Sequence, residues 1–237
     1  MIPHPGEGKD GWRRAARIGG LAVRIVLLLV LLWGALVVAL SLSPSPRTPA
    51  EFRAAVAAGH VSDIRYRVED GNVRSLRWAE GPLNWHEIDV LSLGDGSRAY
   101  TSEEFWREVS GLSVEPVQMD GRTNRGGIIP DWPFEAPLPR GAWVIGAAWV
   151  VTFLIMLGSV PRLGNRWAWF WLFTVGQIGA ILFLLLEPRS LWSGAGERPV
   201  PKGRLTGGQG CLMSIGLSIL AGFAALGVGA LVRLVLG

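Results

Sequence analysis

LAVRIVLLLVLLWGALVVALSL, residues 21–42, carries one charge in 22 residues, that of Arg24. At about 1.5 Å per residue, a helix of this length crosses the roughly 30 Å hydrocarbon core of a bilayer. Three further apolar runs follow, at 142–160, 167–186 and 211–236. The expected class is therefore membrane α-helical: four transmembrane helices, with a small α+β extracytoplasmic domain inserted between helices 1 and 2. The plan expected of the chain is a basic cytoplasmic tail (1–18), a first span (19–42) and the insert with its Pro-rich linkers (43–140, core 47–120). A second span (141–160), a cytoplasmic loop (161–166), a third span (167–187), a Gly/Pro-rich loop (188–210) and a fourth span (211–236) complete it.

Composition agrees with that class. Of 237 residues, 49% are hydrophobic and the mean hydropathy is +0.33. Cys211 is the single cysteine, so neither an intrachain disulfide nor a thiolate metal cage can form. The net charge of +4 hides a division. Residues 43–140 hold 11 Arg against 15 Asp and Glu, a balance of −4, while the rest of the chain stands at +8. The basic residues flank apolar runs instead of forming one stripe, which argues against nucleic acid as a partner and for topology determinants. Only two of the 23 basic residues are Lys, amid abundant Ala and Gly, a composition typical of GC-rich bacterial genomes.

Residues 1–18 are polar and basic and are expected to lack structure. A cleaved signal peptide is the rival reading of the first span; its apolar part exceeds the usual ~7–15 residues and no small-x-small site closes it, so an uncleaved anchor is expected. Within the insert, 43–49 (SPSPRTP) is a stiff linker. Thr48 as N-cap, Pro49 at N1 and Glu51 at N3 open a helix that Gly59 can end. Ile64, Tyr66 and Val68 alternate with polar residues, Asp70-Gly71-Asn72 turns the chain, and 73–78 returns. Residues 85–93 read as a third strand, 101–104 opens a second helix, and 114–119 is a last strand. The order α-β-β-β-α-β describes a compact α+β domain.

With the N-terminus inside, Lys9, Arg13, Arg14, Arg17, Arg162, Arg166 and Arg233 face the cytoplasm, and both termini are cytoplasmic. Arg189, Arg198, Lys202 and Arg204 then lie outside, against the positive-inside rule. Arg24 is expected to snorkel to inner headgroups. Gln177, Ser214, Ser218 and Gly222 are the candidate helix-packing residues: Gln177 as a mid-span hydrogen-bonding group, the others as a small-xxx-small face. That face suits internal packing or a homodimer seam.

A search for chemistry returns little. His86-Glu87 begins like a zincin helix, but position 90 is Val, and His4 and His60 have no ligand-spaced partner. No nucleophile elbow or phosphate loop occurs. The Thr206–Gly210 stretch (TGGQG) lacks a following Lys and reads as a flexible joint, and Glu187-Pro188 as a helix end at the membrane surface. No catalytic residue, metal or cofactor is expected.

The order Phe52-x3-Val56-x2-Gly59-x-Val61-x2-Ile64 within 51–68, with a second helix and strand over 105–114, resembles the extracytoplasmic domain of the FtsH family of membrane-anchored AAA+ zinc proteases. The likeness covers about residues 47–120. It implies an outside domain that engages protein partners. The family's ATPase loop and its H-E-x-x-H are absent, so no proteolytic residue carries over. The expected role is a non-enzymatic binding or scaffold component of an envelope complex in the plasma membrane, in contact with lipids and another membrane or envelope protein, or a second copy of itself. Arg65, Arg67, Arg74, Trp78 and Trp85 are its candidate partner contacts, since Arg and Trp are enriched at hot spots. The plainer alternative puts the two tryptophans in the domain core and the arginines on a solvated strand face. A transporter or channel subunit is the alternative function.

Overall fold

The computed structural model describes residues 7–89, 100–119, 132–134, 138, 141–175, 177–187 and 203–236. Among these lie seven helices and a small mixed sheet. Two helices are long and apolar enough to cross a membrane: α1 (Glu7–Ser41), over Arg14–Ser41, and α7 (Gly207–Leu236), over Gly207–Val232. The chain divides into two compact units. One comprises Met1–Gly34 with Trp143–Ala221, the other Ala35–Ala142 with Gly222–Gly237.

The second unit holds the α+β domain. Helix α2 (Pro49–Ala57) starts on a capping box: Thr48 Oγ1 accepts from the Glu51 N–H while the Glu51 carboxylate accepts from the Thr48 N–H at 2.8 Å. It ends at Gly59, whose φ of +68° suits a residue without Cβ. Strands β2 (Asp63–Glu69) and β3 (Asn72–Ala79) join through Asp70 and Gly71, both at positive φ (52° and 77°), as a two-residue hairpin turn requires. Strand β4 (Trp85–Asp89) pairs antiparallel with β3; the rest of the strand expected over 85–93 lies outside the described residues. Helix α3 (Ser102–Val109) repeats the capping box with Thr101 and Glu104, and β5 (Val117–Gln118) runs parallel to β2.

The linker adds an element that its prolines hide. Ser45–Pro46 forms β1, parallel to β4, giving the order β1-β4-β3-β2-β5. A proline is tolerated there because an edge strand need not donate on both sides. Period-2 alternation sends Ile64, Tyr66, Leu76, Trp78 and Ile88 to one sheet face, where Phe52 and Ala55 of α2 and Phe105 and Val109 of α3 close the core. Phe52 meets Trp78 edge-on at 5.2 Å, and Tyr66 lies 4.7 Å from Phe105. Each such buried side chain contributes about 1.5–3 kcal/mol of transfer free energy. Glu108 ties the helices together, accepting from Arg53 at 2.9 Å and from the Tyr100 hydroxyl at 2.6 Å.

In the first unit, three expectations change. Helix α1 starts at Glu7 and not near residue 19, because 7–20 contains no proline and is rich in good helix formers. The joint at Thr206–Gly210 is the N-terminus of α7: Thr206 and Gln209 cap it reciprocally, the Gln209 side chain accepting from the Thr206 N–H at 3.0 Å. The third change is larger. Following α4 (Ala142–Gly158), the single helix expected over 167–186 is two short ones, α5 (Arg166–Thr174) and α6 (Gly179–Leu186). Between them Gln177 takes a positive φ of 56°. The chain folds back: Trp169 meets Phe183 edge-on at 5.2 Å, and Gly179 lies directly on the backbone of Leu172 and Phe173.

Candidate functional site

The sheet face away from α2 and α3 carries the charge. Alternation puts Asp63, Arg65 and Arg67 of β2 there, with Ser75 and Arg77 of β3 and Trp85 and Glu87 of β4. Arg65 stands opposite Arg77, a pairing that would repel without compensation. Carboxylates supply it: Arg77 donates to Glu87 at 2.9 Å, and Arg65 to Asp63 at 3.3 Å. Ser75 adds a donor to Glu87 at 3.2 Å. The Arg65 guanidinium also sits 5.8 Å from the Trp85 ring centre, within cation–π range. Burial pushes the Asp63 carboxyl up, against the pull of Arg65.

Arg67 differs from its neighbours. Its Nε is buried and has no hydrogen-bond partner, and it forms no ion pair among the described residues. Arg74 sits at the bulge where the β2–β3 register shifts, 3.9 Å from Glu69. A buried guanidinium donor without an acceptor is costly.

Of the five candidate contacts, Arg65, Arg67 and Trp85 share this face. Trp78 does not. It lies on the core face, 1% exposed against Phe52 and His86, and is unavailable to a partner. Trp85 is 4% exposed, its indole N–H donating to the Pro82 carbonyl at 3.2 Å, so it acts on the face through Arg65. Arg77 and Glu87, which residue type alone did not single out, share this face with Arg65 and Arg67 by strand alternation.

A groove of about 380 Å³ opens between α2 and the ends of β3 and β4, lined among others by Arg47, Glu51, His60, Glu80 and His86. His86 is buried beside Trp78, ring centres 5.1 Å apart, and its Nδ1 has no partner. Burial lowers its pKa, outweighing the Glu80 carboxylate 3.7 Å from Nε2. Glu51 is held below the usual carboxylate range by donation from Thr48 and Arg47. No cluster of three metal-ligating side chains occurs among the described residues.

The helix-packing residues occupy one stripe of α7. Ser214 and Gly222 are buried and Ser218 half-buried, while Leu212, Leu220 and Phe223 are exposed. Ser218 donates to the Val175 carbonyl at 3.1 Å, satisfying a backbone group freed by the end of α5. Gln177 lies at the α5–α6 break. Arg24, half-buried, donates to the Leu184 carbonyl near the end of α6.

No known protein family, no curated protein and no solved structure matches this chain.

Proposed function

We propose that the chain is an integral membrane protein of the plasma membrane that displays its α+β domain on the outer side and works there as a non-enzymatic binding or scaffold component of an envelope complex. The single observation that carries this reading is Arg67. Half-buried, its guanidinium forms no ion pair among the described residues, on a face that already holds Arg65, Arg77 and Trp85. Such a group fits a protein partner that offers a carboxylate or main-chain carbonyl. The long apolar helices α1 and α7 support membrane residence, and the positive-inside rule supports an N-terminus in the cytoplasm. The likeness of 47–120 to the FtsH-family extracytoplasmic domain belongs to this proposal and likewise implies protein partners.

The test uses the full chain, cross-linked in intact cells and purified in detergent. A stoichiometric partner is expected with the wild type and lost with Arg65→Glu/Arg67→Glu at unchanged membrane level. Absence of any such partner, or its retention by the double variant, overturns the reading.

One observation favours a second reading, a transporter or channel subunit. Broken helices inside membranes recur where solutes bind, and here the break carries Gln177, two residues after the Val175 carbonyl that Ser218 reaches. Flux in proteoliposomes that disappears with Gln177→Leu would establish it.

A further inference from the structure

We infer that α5 and α6 form a re-entrant hairpin that enters and leaves the bilayer at one face, so that the chain crosses three times and its two ends lie on opposite sides. The inference rests on the membrane reading above and deepens it.

Length comes first. At about 1.5 Å per residue, the limbs of nine and eight residues reach about 13 and 12 Å, less than half of a ~30 Å hydrocarbon core. A continuous helix would hold residues 163 and 187 about 36 Å apart. Instead the Glu187 carboxylate accepts from the N–H of Arg162 at 2.9 Å and of Leu163 at 3.5 Å. The chain that leaves α6 is back where it entered α5.

The approach to α7 is tied to the same place. The Asn165 N–H donates to the Leu205 carbonyl at 3.0 Å, the Leu205 N–H to Leu163 at 3.1 Å, and Arg204 to Pro161 and Gly164. Gly210 then lies on the Ala168 backbone. Helix α7 therefore begins beside the start of α5 and runs along the hairpin, its Ser218 satisfying Val175 near the tip. Non-helical backbone at membrane depth needs partners from neighbouring protein, and Ser218 of α7 offers one to the Val175 carbonyl. Arg24 reaches Leu184 at this same end, while Gly34 meets Ile145 near the start of α4, so α1 and α4 run oppositely. In the other unit, Gly229 of α7 lies against Ser43, just past the end of α1.

Charge gives an independent argument. When 167–187 crosses, Arg189, Arg198, Lys202 and Arg204 violate the positive-inside rule. When it re-enters, they join the tail and 161–166, and ten Lys and Arg of the tail and short loops share one face, with Arg233 and the eleven Arg of the long insert opposite; long loops translocate largely regardless of charge. The C-terminus is then outside, reversing the side that counting over four spans assigns.

The test is labelling of full-length single-cysteine chains in a Cys211→Ser background, with an impermeant maleimide before and after permeabilisation. The positions are Asp10→Cys, Asp120→Cys, Val200→Cys and Gly237→Cys. Positions 120 and 237 are expected to label in intact cells, and 10 and 200 only after permeabilisation. A C-terminal green fluorescent fusion, dark when exported unfolded, gives a second readout of residue 237 without the cysteine changes. Residue 200 labelling on the side opposite residue 10, with 237 on the same side as 10, overturns the hairpin and leaves the membrane reading intact. Recovery of the wild-type chain in the soluble fraction without detergent overturns the membrane reading itself.

Discussion

Both carboxylate oxygens of Glu187 lie 2.9 Å from the backbone nitrogen of Arg162, 25 residues earlier. Glu187 is 3% exposed, and its carboxylate accepts from two N–H groups of this turn, those of Arg162 and Leu163. Glu187→Ala removes the acceptor and leaves both donors behind, at a cost of about 2–4 kcal/mol. Glu187→Gln keeps one carbonyl oxygen and is expected to cost about 1 kcal/mol. Thermal unfolding of the full chain in one detergent measures the order; an Ala variant as stable as wild type would show that the closure contributes nothing.

His86 makes the sheet domain sensitive to mild acid. Its pKa lies below the ordinary 6.5 because burial penalises the imidazolium. The unfolded chain then takes up the proton more readily than the folded one, so stability is full above 6.5 and is lost as pH falls. The loss is at most about 1.4 kcal/mol per pH unit over the window that opens below about pH 6.5. Asp63, with its pKa raised above 3.8, acts in the opposite sense in the lower carboxylate range. Melting temperatures of wild type and His86→Phe across this window are the check, and equal slopes would refute the assignment to His86.

Glu108 joins α2 to the segment before α3 through Arg53 and Tyr100. Tyr100 is held protonated, its pKa pushed up by burial and by the Glu108 carboxylate. Tyr100→Phe is expected to cost about 1 kcal/mol, and a double-mutant cycle with Glu108→Gln to return a coupling of about 0.5–1.5 kcal/mol. Strict additivity would mean that the 2.6 Å hydrogen bond carries no net stability.

Much of the sheet domain was legible because its signals are local. Thr48 with Glu51, Thr101 with Glu104, and Asp70-Gly71 each fix a boundary within four residues, and alternation assigns a face to every strand residue. Residue type makes Trp78 a candidate contact, but strand parity puts it beside Ile64 and Leu76 in the core, as the plainer alternative has it. The fold-back was not legible. Hydropathy over 167–186 measures apolarity, not direction, and the closure of Glu187 on Arg162 is a long-range contact that no local pattern encodes. Gly176 and Gly179 flanking Gln177 were the available hint, and they also fit close packing of one unbroken helix. The cap of α7 by Thr206 and Gln209 could have been read, but three glycines around it suggested a joint.

That ambiguity makes Gly179 the most informative position for substitution. A Cβ there would overlap the backbone of Leu172 and Phe173, which cannot rotate away as a side chain would. Gly179→Ala is therefore expected to destabilise by about 1–3 kcal/mol through overpacking. Gly216 in α7 provides the control, since nothing lies within 4 Å of its would-be Cβ. There alanine relieves the poor helix propensity of glycine and should stabilise by up to about 1 kcal/mol. If 167–187 were one straight helix, Leu172 and Phe173 would lie about two turns from position 179, and alanine there would stabilise as at 216 unless a neighbouring helix packed on it. Opposite signs in detergent melts of the two full-length variants are expected; the same sign at both positions would mean that the chain does not turn at Gln177.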